Sequence, residues 1–162
     1  MSTSFEYDQT FNADPATVLA MLQNPEYVRK RCDETGSQET TVDVSGTPGG
    51  QYVVTSVRVL PAPSAAKSFV GDTITVTETQ TWSPANADGS AEATTVVDFK
   101  SLLSFTGKIQ ISGSGSATTV HTSGELKSGI PFMGGKVEKG GAEQTERYLK
   151  AEEKIGAAWL SQ

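Results

Sequence analysis

The last 30 residues follow a helical pattern of apolar and polar positions. One side of this segment is formed by residues that recur at steps of three or four: Met133, Val137, Gly141, Gln144, Tyr148, Ala151, Ile155 and Trp159. This spacing matches the period of an α-helix and not the two-residue period of a strand. Residues of opposite charge, three or four positions apart, occupy many of the other positions of the segment, as on a solvated helix face. The pattern predicts a long amphipathic helix that lies on an apolar surface.

The apolar side of this helix is incompletely filled. Gly140 and Gly141 lie mid-helix, where each glycine costs about 1 kcal/mol relative to alanine. Gln144 and Tyr148 place polar atoms on the same side. Two explanations are open, a cavity beneath the helix or close packing of the helix on a sheet at the glycines.

The chain before this helix alternates between apolar and polar residues, as strands do. Residues 4–11 place Phe5, Tyr7 and Phe11 on one side. Six further strands are predicted at 38–45, 51–60, 73–82, 91–99, 102–112 and 117–127. Glycine-rich turns separate most neighbours, whereas the longer connection 61–72 is expected to be a mobile loop near an entrance.

Two short helices are predicted directly after the first strand. Asp14 precedes Pro15, and Asn24 precedes Pro25. In both pairs the first side chain can accept a hydrogen bond from a free backbone N–H, and proline at the first helical position loses none. The second helix is expected to continue to about Cys32.

This order of elements resembles the helix-grip fold of the START-like (SRPBCC) superfamily. The superfamily includes plant pathogenesis-related allergens, lipid-transfer domains, polyketide cyclases and aromatases, and a co-chaperone activator domain. Four stretches resemble an uncharacterised bacterial family within it more closely: Ala13-Asp14-Pro15 with Val18, residues 24–27 through Arg31-Cys32, residues 67–72, and residues 134–139 followed by the helix ending at Trp159.

The resemblance implies an α+β fold with a seven-stranded curved antiparallel sheet wrapped around the C-terminal helix and two short helices after strand 1. It covers nearly the whole chain and supplies no catalytic motif. Gly140-Gly141 departs from the bulkier residues that are more usual in such a helix.

Length and charge narrow the possible functions. The 162 residues suit a single domain spanning 1–162. A net charge of -6 with scattered basic residues argues against a nucleic-acid partner or an anionic membrane surface. The single cysteine excludes an internal disulfide, and neither a secretory signal nor an apolar run of membrane-spanning length is visible. We therefore expect a cytoplasmic protein without integral membrane association.

The predicted strand 73–82 carries the most informative residues for function. Alternation places five of its residues on one face: Ile74, Val76, Glu78, Gln80 and Trp82. If the apolar pair faces inward, Glu78 and Gln80 do so too, and a buried carboxyl group has a raised pKa unless a cation reaches it. Alternatively, Glu78 and Gln80 lie at the strand's exposed end, or a bulge rotates them outward.

Further pocket candidates come from the neighbouring strands and the closing helix. The strand residues are expected on the concave wall and comprise Val97, Phe99, Leu103, Phe105, Ile109 and Val120. The helix adds Gly141, Gln144 and Tyr148, whose hydroxyl can orient a ligand or simply lie at the rim. An apolar wall with few convergent polar groups is typical of a small-ligand site.

Residues for covalent or metal chemistry are sparse. His121 is the only histidine, and alternation places it on the convex, solvated side. One histidine and one cysteine make neither a zinc cluster nor a nucleophile–base pair on one side of the sheet. Gly134-Gly135-Lys136 lacks the spacing and hydroxyl residue of a phosphate-binding loop. We expect no cofactor, and we expect Cys32 to be a half-buried small apolar side chain.

The sequence therefore favours non-catalytic binding of a small apolar or amphipathic molecule between sheet and C-terminal helix. One alternative is a polyketide cyclase or aromatase-like enzyme, for which Glu78, Gln80 and Tyr148 are the available acid/base groups. The other is an interaction module with a filled interior and an apolar patch at residues 61–69.

Overall fold

The computed structural model describes residues 2–100 and 102–162. Within them, seven strands form one antiparallel sheet: β1 (Thr3–Phe11), β2 (Glu39–Gly46), β3 (Tyr52–Pro61), β4 (Thr73–Trp82), β5 (Ala91–Asp98), β6 (Leu103–Ser114) and β7 (Ala117–Ser128). The helices are α1 (Pro15–Gln23), α2 (Pro25–Glu34), α3 (Lys67–Val70) and α4 (Gly134–Leu160).

The strand order is β1-β7-β6-β5-β4-β3-β2. All neighbours from β2 to β7 are consecutive in the chain, so they form a meander. β1 pairs with β7 in the register Thr3↔Leu126 to Phe11↔Thr118, and α1 and α2 carry the chain from this edge to β2 at the opposite edge. The predicted α+β arrangement of a curved seven-stranded sheet, two short helices and a C-terminal helix is confirmed.

The two short helices begin as their sequences predict. Asp14 Oδ1 accepts a hydrogen bond of 3.1 Å from the Thr17 N–H, and Asn24 Oδ1 accepts one of 2.9 Å from the Glu26 N–H. Each cap satisfies a donor that the first helical turn leaves free. The prolines occupy the first helical position in both helices.

Two apolar clusters make up the interior. One cluster lies under α1 and α2 and includes Phe11, Tyr27, Trp82 and Ile111, against which Trp159 packs. The other includes Phe5, Ile74, Val76, Leu103, Phe105, Leu126 and Leu149. Since α4 supplies Leu149 to one cluster and Trp159 to the other, the helix spans both.

The two mid-helix glycines have different surroundings. A Cβ atom on Gly141 would lie 2.3 Å from Leu103 Cδ2, whereas one on Gly140 would meet no atom within 4 Å. Gly141 therefore lets α4 pack closely on β6, which is the alternative to a cavity at this position. Its assignment as a pocket residue is corrected on this ground.

The connection 61–72 is more regular than the sequence pattern indicates. It contains a 3-10 turn at Ser64–Ala66 followed by α3, and the Gly71 N–H donates to the Lys67 carbonyl at 2.9 Å. Phe69 is 52% exposed. The mobility of this segment stays a prediction.

Candidate functional site

A cavity of about 320 Å³ lies between the sheet, α2 and α4. Its apolar wall consists of Ala151 and of residues from both core clusters: Leu22, Leu60, Val97, Phe99, Phe105, Ile109, Val120 and Leu149. The exposed side chains of Glu34, Gln144 and Arg147 also line it, which places an opening between the end of α2 and the middle of α4. The volume lies just above the lower end, about 300 Å³, of the range of small-molecule pockets.

Most of the predicted pocket residues reach this cavity. Those that line it are Glu78, Gln80, Val97, Phe99, Phe105, Ile109, Val120, Gln144 and Tyr148. Ile74, Val76 and Leu103 are instead packed within the apolar cluster around Phe105. Trp82 is fully buried beneath α1 and α2, and Gly141 contacts Leu103.

Glu78 and Gln80 both face inward. The β3–β4 pairing runs without interruption from Tyr52↔Trp82 to Pro61↔Thr73, so no bulge rotates these side chains outward. The Glu78 side chain is 12% exposed. Trp82 Nε1 donates to Gln80 Oε1 at 3.2 Å, and Gln80 Nε2 donates to Glu78 Oε2 at 3.0 Å. Thr95 donates to the same oxygen at 3.1 Å, so β4 and β5 hold this carboxylate in one orientation.

Arg31 from α2 is the cation that reaches Glu78. Its Nη2 lies 3.5 Å from Glu78 Oε1, and its Nη1 lies 3.1 Å from Oε2 of Glu152 on α4. Its Nε donates to the Tyr148 hydroxyl at 2.8 Å. The guanidinium is 1% exposed, so it depends on these contacts in place of solvent, although Nη1 makes no hydrogen bond to a described residue. Arg31 thereby joins β4, α2 and α4 across one end of the cavity.

The Glu152 carboxylate has a second anchor on β1. Gln9 Nε2 donates to Glu152 Oε1 and to the Leu149 carbonyl, both at 2.9 Å. The Tyr27 hydroxyl donates to the Glu152 carbonyl at 3.3 Å. Because buried charges are tolerated only when paired and hydrogen-bonded, the Arg31–Glu78–Glu152 cluster is a built element of the interior.

The charges in this cluster shift the pKa values of its members. Burial alone would lower the pKa of Arg31, but Tyr148, Glu152 and Glu78 outweigh it and raise that pKa. Burial raises the pKa of Tyr148, against the opposing effect of Arg31 and Arg58. Arg31 is therefore held as a cation and Tyr148 as a neutral phenol near neutral pH.

Arg58 on β3 is a second buried guanidinium at the cavity. It is 6% exposed, and its guanidinium carbon lies 4.5 Å from the centre of the Tyr148 ring. No carboxylate among the described residues forms an ion pair with it, and no described residue accepts a hydrogen bond from it. Arg31 is thus a paired cation, whereas Arg58 faces the cavity with no counter-ion in the part of the chain that the structure describes.

The sequence model of the family described as "Protein of unknown function (DUF2505)" matches residues 6–160. This chain belongs to that family. No functionally curated protein matches the sequence of this DUF2505 chain at a significant level.

Solved structures with the same fold come from several kinds of protein. TTHA0849 from Thermus thermophilus superposes with a TM-score of 0.62 at 17% identity, over 96% of this chain and 98% of that one. The Zhui aromatase/cyclase from Streptomyces sp. R1128 gives 0.65 at 12% identity, over 98% and 93%. Human STARD10 gives 0.66 at 13% identity, over 98% of this chain and 64% of that one. These likenesses confirm the START-like fold of the DUF2505 chain.

The sequence pattern contains a signal for four further site residues of the DUF2505 chain that were not predicted. Gln9 shares its alternation side with Phe5 and Phe11, and Arg58 shares its side with Tyr52 and Val54. Arg31 follows Tyr27 by four residues on the buried side of α2, and Glu152 follows Tyr148 by four on α4. In each case the polar residue on an apolar face was the signal.

Residues predicted to lie away from the site do so. His121 is on the outer side of β7, next to Asp8 and 3.3 Å from Glu6. Cys32 is fully buried rather than half-buried, and burial raises the pKa of its thiol. In residues 2–100 and 102–162, no group of three or more metal-ligating side chains is assembled. No helix in that part of the chain is both long and apolar enough to cross a membrane.

A second, wider depression of about 660 Å³ lies between α1 and the turns at 48–49 and 85–89. Most of its lining residues are exposed. The cavity beside Arg31 and Arg58, which is lined largely by buried side chains, is therefore the stronger candidate for a binding site.

Proposed function

We propose that this DUF2505 protein binds a small hydrophobic or amphipathic molecule in the cavity between the sheet and α4, without covalent chemistry. The observation that supports this most is a partly enclosed space of about 320 Å³ with a mainly apolar surface, on which several charged and polar side chains converge. Such a composition suits a ligand whose body is apolar and whose orientation is set by hydrogen bonds.

An enzyme of the cyclase or aromatase kind is the first alternative. It draws on a fold shared with the Zhui aromatase/cyclase, but fold alone does not determine function. Glu78 and Glu152 are both bound to Arg31, and the raised pKa of Tyr148 makes its phenolate a scarce base near neutral pH. These groups are therefore poorly suited to transferring the protons of a ligand.

An interaction module with a filled interior is the second alternative. The exposed Phe69 within residues 61–69 favours it, whereas the interior cavity argues against it. We propose a cytoplasmic location, where a free buried thiol such as that of Cys32 stays reduced. We propose neither nucleic acid nor an integral membrane association as part of its function.

Native mass spectrometry of the protein purified from its own host tests the proposal. The expected result is a retained small molecule that is released on denaturation. Ala151→Leu places a larger side chain in the cavity and is expected to lose that molecule. Ala158→Leu makes the same change at an exposed position of α4 and is expected to retain it.

Equal retention by both variants would place the ligand outside the cavity. A wild-type protein that carries no molecule and takes up no member of a panel of small amphipaths would refute the binding function.

A further inference from the structure

We propose that the ligand of this cavity carries a carboxylate, bound by Arg58 with the Tyr148 hydroxyl beside it, and that its apolar body lies along the wall formed by residues such as Val97, Phe105 and Ile109. This inference rests on the proposed binding function and adds the chemical class of the ligand.

The first argument is the position of Arg58. A guanidinium carries five N–H donors and stays charged at all physiological pH values. Arg58 is 6% exposed and lies on the inward side of β3, with the Tyr148 ring 4.5 Å from its carbon atom. Stacking on the ring stabilises the charge from one face, but it leaves the N–H donors at the edges unused. A buried cation with unused donors is costly unless an acceptor completes the site.

The second argument is that the nearby carboxylates are already used. Glu78 accepts from Gln80 and Thr95 through one oxygen and faces Arg31 through the other. Glu152 accepts from Gln9 through one oxygen and faces Arg31 through the other. The negative charges of Glu78 and Glu152 offset the positive charge of Arg58 from a distance, but neither carboxylate accepts a hydrogen bond from the edge of the Arg58 guanidinium. The acceptor therefore comes from outside the described protein groups, as water in the ligand-free protein and as a ligand group in the complex.

The third argument concerns the Tyr148 hydroxyl. It accepts a hydrogen bond from Arg31 Nε at 2.8 Å, and its own proton has no acceptor among the described residues. Since burial keeps this phenol protonated, it can donate to an anion beside the Arg58 guanidinium. A planar carboxylate matches the parallel N–H groups of a guanidinium edge, which favours it over a tetrahedral oxyanion.

The size of the cavity limits the apolar body. A volume of about 320 Å³ corresponds to roughly ten water-sized groups at about 30 Å³ each. Octanoate is a suitable probe, and 1-octanol is its neutral counterpart with the same chain.

Isothermal titration calorimetry on the full chain tests the inference. Wild type is expected to bind octanoate about tenfold more tightly than 1-octanol, because a hydrogen bond to a charged group contributes more free energy than a neutral one and a tenfold change in affinity corresponds to about 1.4 kcal/mol. Arg58→Met is expected to abolish this preference while keeping octanol binding. Arg58→Lys should retain part of it, and Arg29→Met, at an exposed arginine that donates to the Thr40 carbonyl, should retain all of it.

Several results separate this inference from the proposed function. Equal binding of octanoate and octanol, unchanged in Arg58→Met, would overturn the carboxylate assignment and leave the binding function standing. Tighter binding of octyl phosphate than of octanoate would overturn the choice of a carboxylate. Binding of neither amphipath by wild type would count against the binding function itself.

Arg58→Met also has a folding readout. Removal of a buried cation that no described carboxylate pairs with is expected to raise the urea midpoint of the ligand-free protein. If this variant fails to fold, Arg58 has a structural role. The carboxylate assignment then depends on wild type: a preference for octanoate over octanol supports it, and equal binding of the two overturns it.

Discussion

Replacement of Arg31 by methionine tests whether the buried charge cluster holds β4, α2 and α4 together. Methionine keeps much of the side-chain volume and removes the charge and all donors. The substitution deprives Glu78, Glu152 and Tyr148 of contacts at 3.5, 3.1 and 2.8 Å. The side chains of both carboxylates are largely buried, at 12% and 7% exposure, so little solvent replaces the lost partner.

The expected loss follows from leaving buried carboxylates without their cation. Removal of one partner of a buried ion pair costs about 3–5 kcal/mol. This is a large part of the roughly 5–15 kcal/mol that separates folded from unfolded domains. With a urea dependence of about 2 kcal/mol per molar, the denaturation midpoint should fall by roughly 1.5–2.5 M.

Urea denaturation followed by the fluorescence of Trp82 and Trp159 measures this loss. Arg29→Met provides a control at an exposed arginine of the same helix and should change stability by no more than about 0.5 kcal/mol. The triple variant Arg31→Met, Glu78→Gln, Glu152→Gln also replaces both carboxylates by neutral amides. We expect it to recover more than half of the loss, since groups in one network are not additive. An Arg31→Met midpoint within about 0.5 M of wild type would show that water in the cavity solvates both carboxylates, which would refute the cluster's structural role.

Two further predictions concern α4. Gly140→Ala should raise the free energy of unfolding by about 0.5–1 kcal/mol, because helix propensity improves and no atom lies within 4 Å of the new Cβ. Gly141→Ala should not show this gain, because its new Cβ collides with Leu103. Equal urea midpoints for the two variants would contradict the close packing of Gly141. Hydrogen bonds from the Ser128 N–H and the Thr3 hydroxyl lower the pKa of Glu138. This carboxylate therefore stabilises the fold at pH values above its pKa in the unfolded chain, about 4.3. The stabilisation is lost as the pH falls through the lowered pKa of the folded state. Glu138→Gln should accordingly be less stable than wild type at pH 7, with stability curves that converge on acidification; parallel curves between about pH 3 and pH 7 would contradict this.

The sequence alone was sufficient for the secondary structure and for the direction of most side chains. The alternation of β4 placed Glu78 and Gln80 on the inward face, and the Asp14-Pro15 and Asn24-Pro25 pairs located the starts of α1 and α2. These features depend on local geometry, because side-chain direction follows the period of the element and a cap needs only its neighbouring N–H groups.

Only the tertiary structure decided which inward residues meet. Arg31 joins Glu78 and Glu152 although 47 and 121 positions separate them along the chain, and Gly141 contacts Leu103 instead of leaving a cavity. Arg58 faces the cavity and has no counter-ion among the described residues, because the nearby carboxylates are held by Arg31. Periodicity assigns a residue to a face of its own element, whereas its partners depend on how several elements pack, and that packing involves contacts distant in sequence that no local pattern records.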